Sequence, residues 1–265
     1  MPNTSNNPKH YAIAGKQVEH PQMHSEHLAR MVEYYSQTAN VYDTWNFNPN
    51  GPHDYGVKFL LEAMRKEKMT NVLDVCCGTG RAISAALEAG FDPQGIDISP
   101  NLIAEAINKR KIPQSRIHCG DATKLPFANK SFDASCILGA LHHTAMPHTI
   151  VEEMIRVTRR LIVISDCGND YHGGIRTILM KLGIFTPVYR MLFKREPKTV
   201  RRQLNSAGDG PTFDFSLEEI VPDLAKASSK MKFLTFYGKD TREICSSYFP
   251  RLFAKHIVIT CHLRQ

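Results

Sequence analysis

The nine residues Val72-Leu-Asp-Val-Cys-Cys-Gly-Thr-Gly80 constrain this chain more than any other stretch. A short apolar run, the signature of a buried strand, delivers the acid Asp74. A glycine turn then opens a helix over Arg81–Ala89, which Gly90 stops. Glycines there let the backbone approach a ligand where a Cβ would clash. Alone, such a turn suits many nucleotide binders. The following rhythm narrows the choice. Gln94–Ile98 reads as a second strand, and Ser99-Pro100 as a helix cap followed by proline at the first helical position. Asn101–Lys111 reads as the helix. Arg116–Cys119 and Phe132–Leu138 give a third and fourth strand, Pro147–Arg159 a helix and Leu161–Ser165 a fifth strand. Nearly all-apolar strands alternating with helices predict a parallel sheet covered on both faces.

Spacing adds chemistry. Asp97 ends the second strand, 17 residues after Gly80, where a doubly wound fold places a carboxylate for two ribose hydroxyls. Asp121 ends the third strand in Cys119-Gly-Asp-Ala-Thr, where a side chain and an amide can read an adenine edge. Ligands of such sheets sit at the carboxyl ends of strands, where all three acids fall. No Lys-Ser/Thr phosphate loop is present, which argues against a nucleoside triphosphatase.

These motifs resemble the class I S-adenosylmethionine-dependent methyltransferases. Tyr35-Ser-Gln-Thr-Ala-Asn-Val-Tyr42-Asp43 resembles the entry helix of the quinone-methylating, type 11 branch, and Leu138-Gly-Ala-Leu-His-His143 its segment after strand four. The resemblance covers about residues 34–166. It implies a Rossmann-like α/β fold: a seven-stranded sheet, an N-terminal helical cap and an insertion after strand five. The implied cofactor is S-adenosylmethionine, leaving S-adenosylhomocysteine. The glycine loop, with Asp74, Cys76, Gly78, Thr79 and Gly80, would take its homocysteine end. Asp97 and Ile98 would take the ribose, Asp121 and Ala122 the adenine, with Leu138, Tyr35 and Tyr42 completing the site. Two departures stand out: Cys76 replaces a common glycine, and Arg159-Arg160 replaces a Pro-Gly-Gly turn before strand five.

His142 and His143 follow strand four and are the candidate general bases, since an imidazole titrates near neutrality. Either can equally cap the next helix or pack. Tyr35, Tyr42 and Trp45 are core aromatics or a lid over a sulfonium. In-line transfer of a sulfonium methyl needs no metal, and no CxxC pair suggests a zinc site.

At 265 residues, 42% hydrophobic and 22% charged, the chain reads as one globular domain. Residues 1–25 are expected as a flexible tail and 26–265 as the methyltransferase domain, with 26–67 as the cap and 168–230 as an acceptor-site insertion. A final strand pair is expected over about 232–263. The odd count of seven cysteines, most in apolar runs, fits reduced thiols and a cytoplasmic setting. No apolar leader or membrane-length run is visible. The net charge of +7 concentrates in 176–202, where eight Lys or Arg accompany one acid. That stretch interleaves apolar residues and is read as a solvated face, an acceptor lid or a peripheral contact with an anionic membrane surface; nucleic acid is not expected. The acceptor is a small molecule: O-methylation of a sugar, lipid-linked precursor or natural product. Alternatives are C-methylation of a quinone-like ring, or cofactor binding without catalysis.

Overall fold

The computed structural model describes residues 10–13, 21–46, 49–167, 199–206, 210–213, 215–237, 242–245 and 254–264. The basic stretch over 176–198 lies outside them.

The expected alternation is present. Strand β2 (Asn71–Val75) leads into α4 (Arg81–Glu88), β3 (Asp92–Asp97) into α5 (Pro100–Arg110), and β4 (Ile117–Cys119) is followed by β5 (Phe132–Leu138), α6 (Pro147–Val157) and β6 (Thr158–Cys167). Ser99 caps α5 by accepting the N–H of Leu102 at 3.3 Å, with Pro100 at the first helical position. The last three strands of the chain are β9 (Ser228–Phe236), β10 (Arg242–Cys245) and β11 (His256–Leu263). The main sheet runs β10-β9-β11-β6-β5-β2-β3-β4. Strands β4, β3, β2, β5 and β6 are mutually parallel, and β11 inserts antiparallel between β6 and β9. The seven expected strands are therefore in place, and β10 adds an eighth at the edge. It was not foreseen, because an edge strand of four mixed residues carries no apolar run.

Helix α3 (Pro52–Lys66) covers one face of the sheet through Leu60 and Met64, joined by Ala82 and Ala86 of α4. Helix α6 and α7 (Val221–Ala227) cover the other, over Ile137, Ile162 and Ile164. Fully buried Leu60, Met64, Ile137, Ile162 and Ile164 each contribute about 1.5–3 kcal/mol. The N-terminal cap is α1 (Pro21–Thr38), a 3-10 turn over Ala39–Val41 and α2 (Tyr42–Asn46). Its face of Met31, Tyr35 and Ala39 packs on Leu102 of α5.

A second, three-stranded antiparallel sheet joins β1 (His10–Ile13), β7 (Thr199–Ser206) and β8 (Gly210–Phe213). Thus His10–Ile13 and the start of α1 fall within the stretch read as a tail. A four-residue strand carries little sequence signal of its own, and its pairing partner lies far along the chain. Strand β8 meets α1 directly: His27 and Phe213 have ring centroids 4.7 Å apart, and a Cβ on Gly210 would stand 2.7 Å from Tyr34.

Candidate active site

The ends of β2, β3, β4 and β5 open into a cavity of about 700 Å³, counting its open mouth, which α1 roofs. This is the size range of small-ligand pockets. The switch in strand order lies between β2 and β5, where such sheets take their ligands.

The glycine loop builds one wall. Cys76, Gly78 and Gly80 all have positive φ, at 55°, 54° and 77°. Gly80 is also short of space, since a Cβ there would come within 2.4 Å of Ile112 Cδ1. Asp97 ties the loop to the next strand. Its Oδ2 accepts the N–H of Gly78 and its Oδ1 that of Ser99, each at 2.8 Å. Burial holds the Asp97 carboxyl above its usual range, while these backbone N–H groups pull the other way.

Asp121 is on the floor of the same cavity. Its Oδ1 accepts the Thr123 N–H at 2.9 Å, and Oδ2 pairs with His24 Nε2 of α1 at 2.7 Å. Against a desolvation cost, the His24 and Thr123 hydrogen bonds hold this carboxyl below its usual range. Ile98, Leu102 and Ala122 supply apolar wall between the two acids.

Of the residues expected from sequence, Tyr35, Tyr42, Cys76, Gly78, Asp97, Ile98, Asp121, Ala122, Leu138 and His143 line this cavity. Asp74, Thr79, Gly80 and His142 do not. Asp74 lies beneath the loop, 5% exposed, and burial lifts its carboxyl to about 7; the Cys136 thiol donates to it at 3.4 Å. Thr79 Oγ1 donates to Asp43 Oδ1 of α2 at 2.7 Å, pinning loop to cap. Burial pushes the Cys76 and Cys77 thiols well up, so neither is a ready nucleophile.

The two histidines after β5 differ. His143 faces the cavity, with Nδ1 donating to the Pro211 carbonyl at 2.9 Å, while His27 donates to the His143 carbonyl. His142 Nδ1 donates to Asp166 Oδ1 at 2.7 Å. Asp166, at the end of β6, is 1% exposed and also accepts N–H groups from Leu141 and Cys167. Although burial opposes it, the charge and hydrogen bond of His142 hold Asp166 well below the usual carboxylate range. An ionised acid thus fixes one imidazole nitrogen as the donor. His142, Asp166 and Cys167 also form a group close enough to hold a cation, their ligating atoms within 4.8 Å.

Sequence reasoning missed His24, Asp43, Ser99, Thr144 and Asp166. Ser99 was seen only as a helix cap, and Asp43 only as the end of the stretch that resembles an entry helix. His24 stands in a polar stretch without period, so no signal was available for it.

Residues 73–161 match the family described as "Methyltransferase domain". The chain is 37% identical over 109 residues to the demethylmenaquinone methyltransferase of Paenarthrobacter aurescens, covering 40% of this chain and 42% of that protein. It spans about half the length, or less, of the curated relatives it matches. Two solved structures share the fold. One is the magnesium protoporphyrin IX methyltransferase of Synechocystis PCC 6803 with bound SAH (TM-score 0.54, 14% identity, 90% of this chain and 100% of that one). The other is the 1,6-didemethyltoxoflavin-N1-methyltransferase of Burkholderia thailandensis (TM-score 0.54, 14% identity, 99% and 98%). Among the described residues, no helix is long and apolar enough to cross a membrane.

Proposed function

We propose that this chain, which carries the domain and fold of the class I methyltransferases, binds S-adenosylmethionine under α1 and methylates a small acceptor. One observation carries the reading: Asp97 and Asp121, at the ends of adjacent strands, face the same cavity as the Gly78 loop. The cavity fits the cofactor in size and in chemistry. Asp97 would hold the ribose hydroxyls, Asp121 the adenine edge, and the open backbone at Gly78 the homocysteine end.

When bound, S-adenosylmethionine supplies a sulfonium-activated methyl group for in-line displacement. The protein's part is to hold donor and acceptor in line and to exclude water. Such positioning contributes about 7–11 kcal/mol. For a hydroxyl acceptor, a base adds about 100- to 10,000-fold. His143, which lines the cavity, suits that role. Its Nδ1 donates to the Pro211 carbonyl, so Nε2 is the ring nitrogen that would take the acceptor's proton.

The printed names of the curated relatives support a second reading, C-methylation of a quinone-like ring. Label partition separates the two. Purified protein is incubated with methyl-labelled cofactor and cell extract, then extracted with organic solvent. Label in the organic phase favours a quinone or lipid-linked acceptor, and aqueous label a sugar or other metabolite. Cofactor binding without any transfer would leave a non-catalytic binder.

A further inference from the structure

A groove of about 580 Å³, counting its open mouth, runs between α3 and the main sheet and shares no lining residue with the cofactor cavity. Phe59 and Ala63 of α3 form its wall. Leu161 of β6, Val258 of β11 and Leu234 of β9 lie in its floor. The cross-strand register explains why that floor changes character along β9. Leu234 pairs with Val258, Lys232 with Thr260 and Lys230 with His262. Residues two apart on a strand share a face, so Lys230 and Lys232 continue the row of Leu234 and Phe236. Leu234 and Phe236 pack in one cluster with Leu60 and Met64 of α3. Past Leu234 the row leaves that cluster and turns cationic.

These cations are not neutralised from within. Lys230 and Lys232 are exposed, and among the described residues neither pairs with a carboxylate. The half-buried Thr260 hydroxyl likewise meets no hydrogen-bond partner among them. The acid at this end is already engaged: Glu67 Oε1 stands 3.3 Å from His262 Nδ1, and Glu67 Oε2 accepts Arg160 Nη2 at 3.2 Å. Strand β10 pairs with β9 only over Phe233–Phe236, so among the described residues β9 is the sheet edge beside both lysines. The chain's own basic stretch over 176–202 has the wrong sign to neutralise them. A partner helix, about 10–12 Å across, takes roughly twice the volume of the groove over three turns. The volume instead falls in the range of small-ligand sites. An apolar slot bounded by two free ammonium groups and a hydroxyl fits a molecule with an apolar body and an anionic head.

We infer that this groove binds a single-chain fatty acid. The acyl chain lies against Phe59, Ala63, Leu161, Leu234 and Val258, and the carboxylate meets Lys230, Lys232 and the Thr260 hydroxyl. The site is separate from the methyl-transfer cavity and stands whatever the acceptor is. Lysines on an edge strand also guard against strand pairing, and the test separates that role from ligand binding.

The probe is dodecanoate, kept below its micelle concentration and titrated into the full chain by calorimetry. One site per chain is expected. Dodecyltrimethylammonium, with the same chain and the opposite charge, should bind at least tenfold more weakly. Saturating S-adenosylhomocysteine should leave dodecanoate affinity within twofold. Ala63→Trp fills the slot from α3, and a Lys230→Gln, Lys232→Gln double variant removes the head contacts. Each should weaken dodecanoate at least tenfold, with circular dichroism confirming the fold; the surface lysine pair decides alone if the tryptophan is not tolerated. Several results overturn the inference. One is no dodecanoate binding, or equal binding of the cationic analogue. Another is displacement by S-adenosylhomocysteine, which would put the acid in the cofactor cavity. Sedimentation with phosphatidylglycerol vesicles without dodecanoate binding would make the lysines a membrane-facing patch. A lysine variant that self-associates but keeps wild-type dodecanoate affinity would make them edge guards.

Discussion

Asp97 Oδ2 accepts the Gly78 N–H at 2.8 Å, so a carboxylate at the end of one strand sets the shape of the glycine turn at the end of its neighbour. The same carboxylate is the proposed ribose contact. Ligand and loop are therefore read by one group, and removing it should cost twice. For Asp97→Ala we expect S-adenosylhomocysteine to bind about 10- to 100-fold more weakly by calorimetry. That corresponds to about 1.4–2.8 kcal/mol, in the range for hydrogen bonds to a charged group. Unchanged affinity would remove Asp97 from the site.

His143 lines the cavity, and its Nδ1 donates to the Pro211 carbonyl, which makes Nε2 the acceptor nitrogen of the ring. His143→Gln keeps a polar side chain there but removes the base. Turnover on a hydroxyl acceptor should fall about 100- to 10,000-fold, with cofactor affinity within threefold. A loss below threefold in turnover would exclude His143 as the base.

Gly80 has φ of 77°, and a Cβ there would clash with Ile112 at 2.4 Å. Gly80→Ala should cost about 1–3 kcal/mol from overpacking and left-handed backbone combined. For a domain of this size that lowers Tm by roughly 3–10 °C. Gly90→Ala isolates the backbone part, because Gly90 has a φ of 82° but its Cβ would meet nothing within 4 Å.

His27 is 2% exposed, and burial lowers its pKa from 6.5 to about 4. The unfolded chain therefore binds this proton first. Its contribution to stability is present above pH 6.5 and is lost as pH falls toward 4, by up to about 3 kcal/mol. Buried Asp74, raised to about 7, acts in the opposite direction over the same window. The difference between wild type and His27→Gln isolates the histidine. Denaturant melts at pH 7 and pH 4.5 should show the wild type losing more stability than the variant on acidification. Parallel losses would contradict the buried neutral ring.

Although His142, Asp166 and Cys167 lie within reach of one cation, their ligating atoms are engaged. Asp166 accepts three N–H groups, and the Cys167 thiol donates to the Phe215 carbonyl at 3.2 Å. Methyl transfer should survive a chelator such as EDTA within twofold. A tenfold loss restored by a divalent cation would make this cluster a metal centre.

The sheet order and the cofactor wall were legible because they are local. Val72–Gly80 and Gln94–Asp97 each announce a strand, its end and its acid within about ten residues. The polar cluster behind Gly139 was not. His53, Ser165 and His256 come from α3, β6 and β11, and only the pairing of β6 with β11 brings Ser165 beside Val258 and His256 beside Cys167. No spacing in the sequence encodes that meeting. His24 was hidden for a different reason: a histidine in a polar helix start gives no period to read.

The meeting of α1 with β8 also has a temporal side. Tyr34 lies against Gly210, and His27 against Phe213, across about 180 residues of chain. The strands that carry Asp97 and Asp121 pair with neighbours close in sequence. Local contacts form fast and distant ones slowly. During synthesis the floor of the cavity is therefore complete well before β8 arrives, and in the nascent chain α1 is held from below alone, by Leu102 and Asp121.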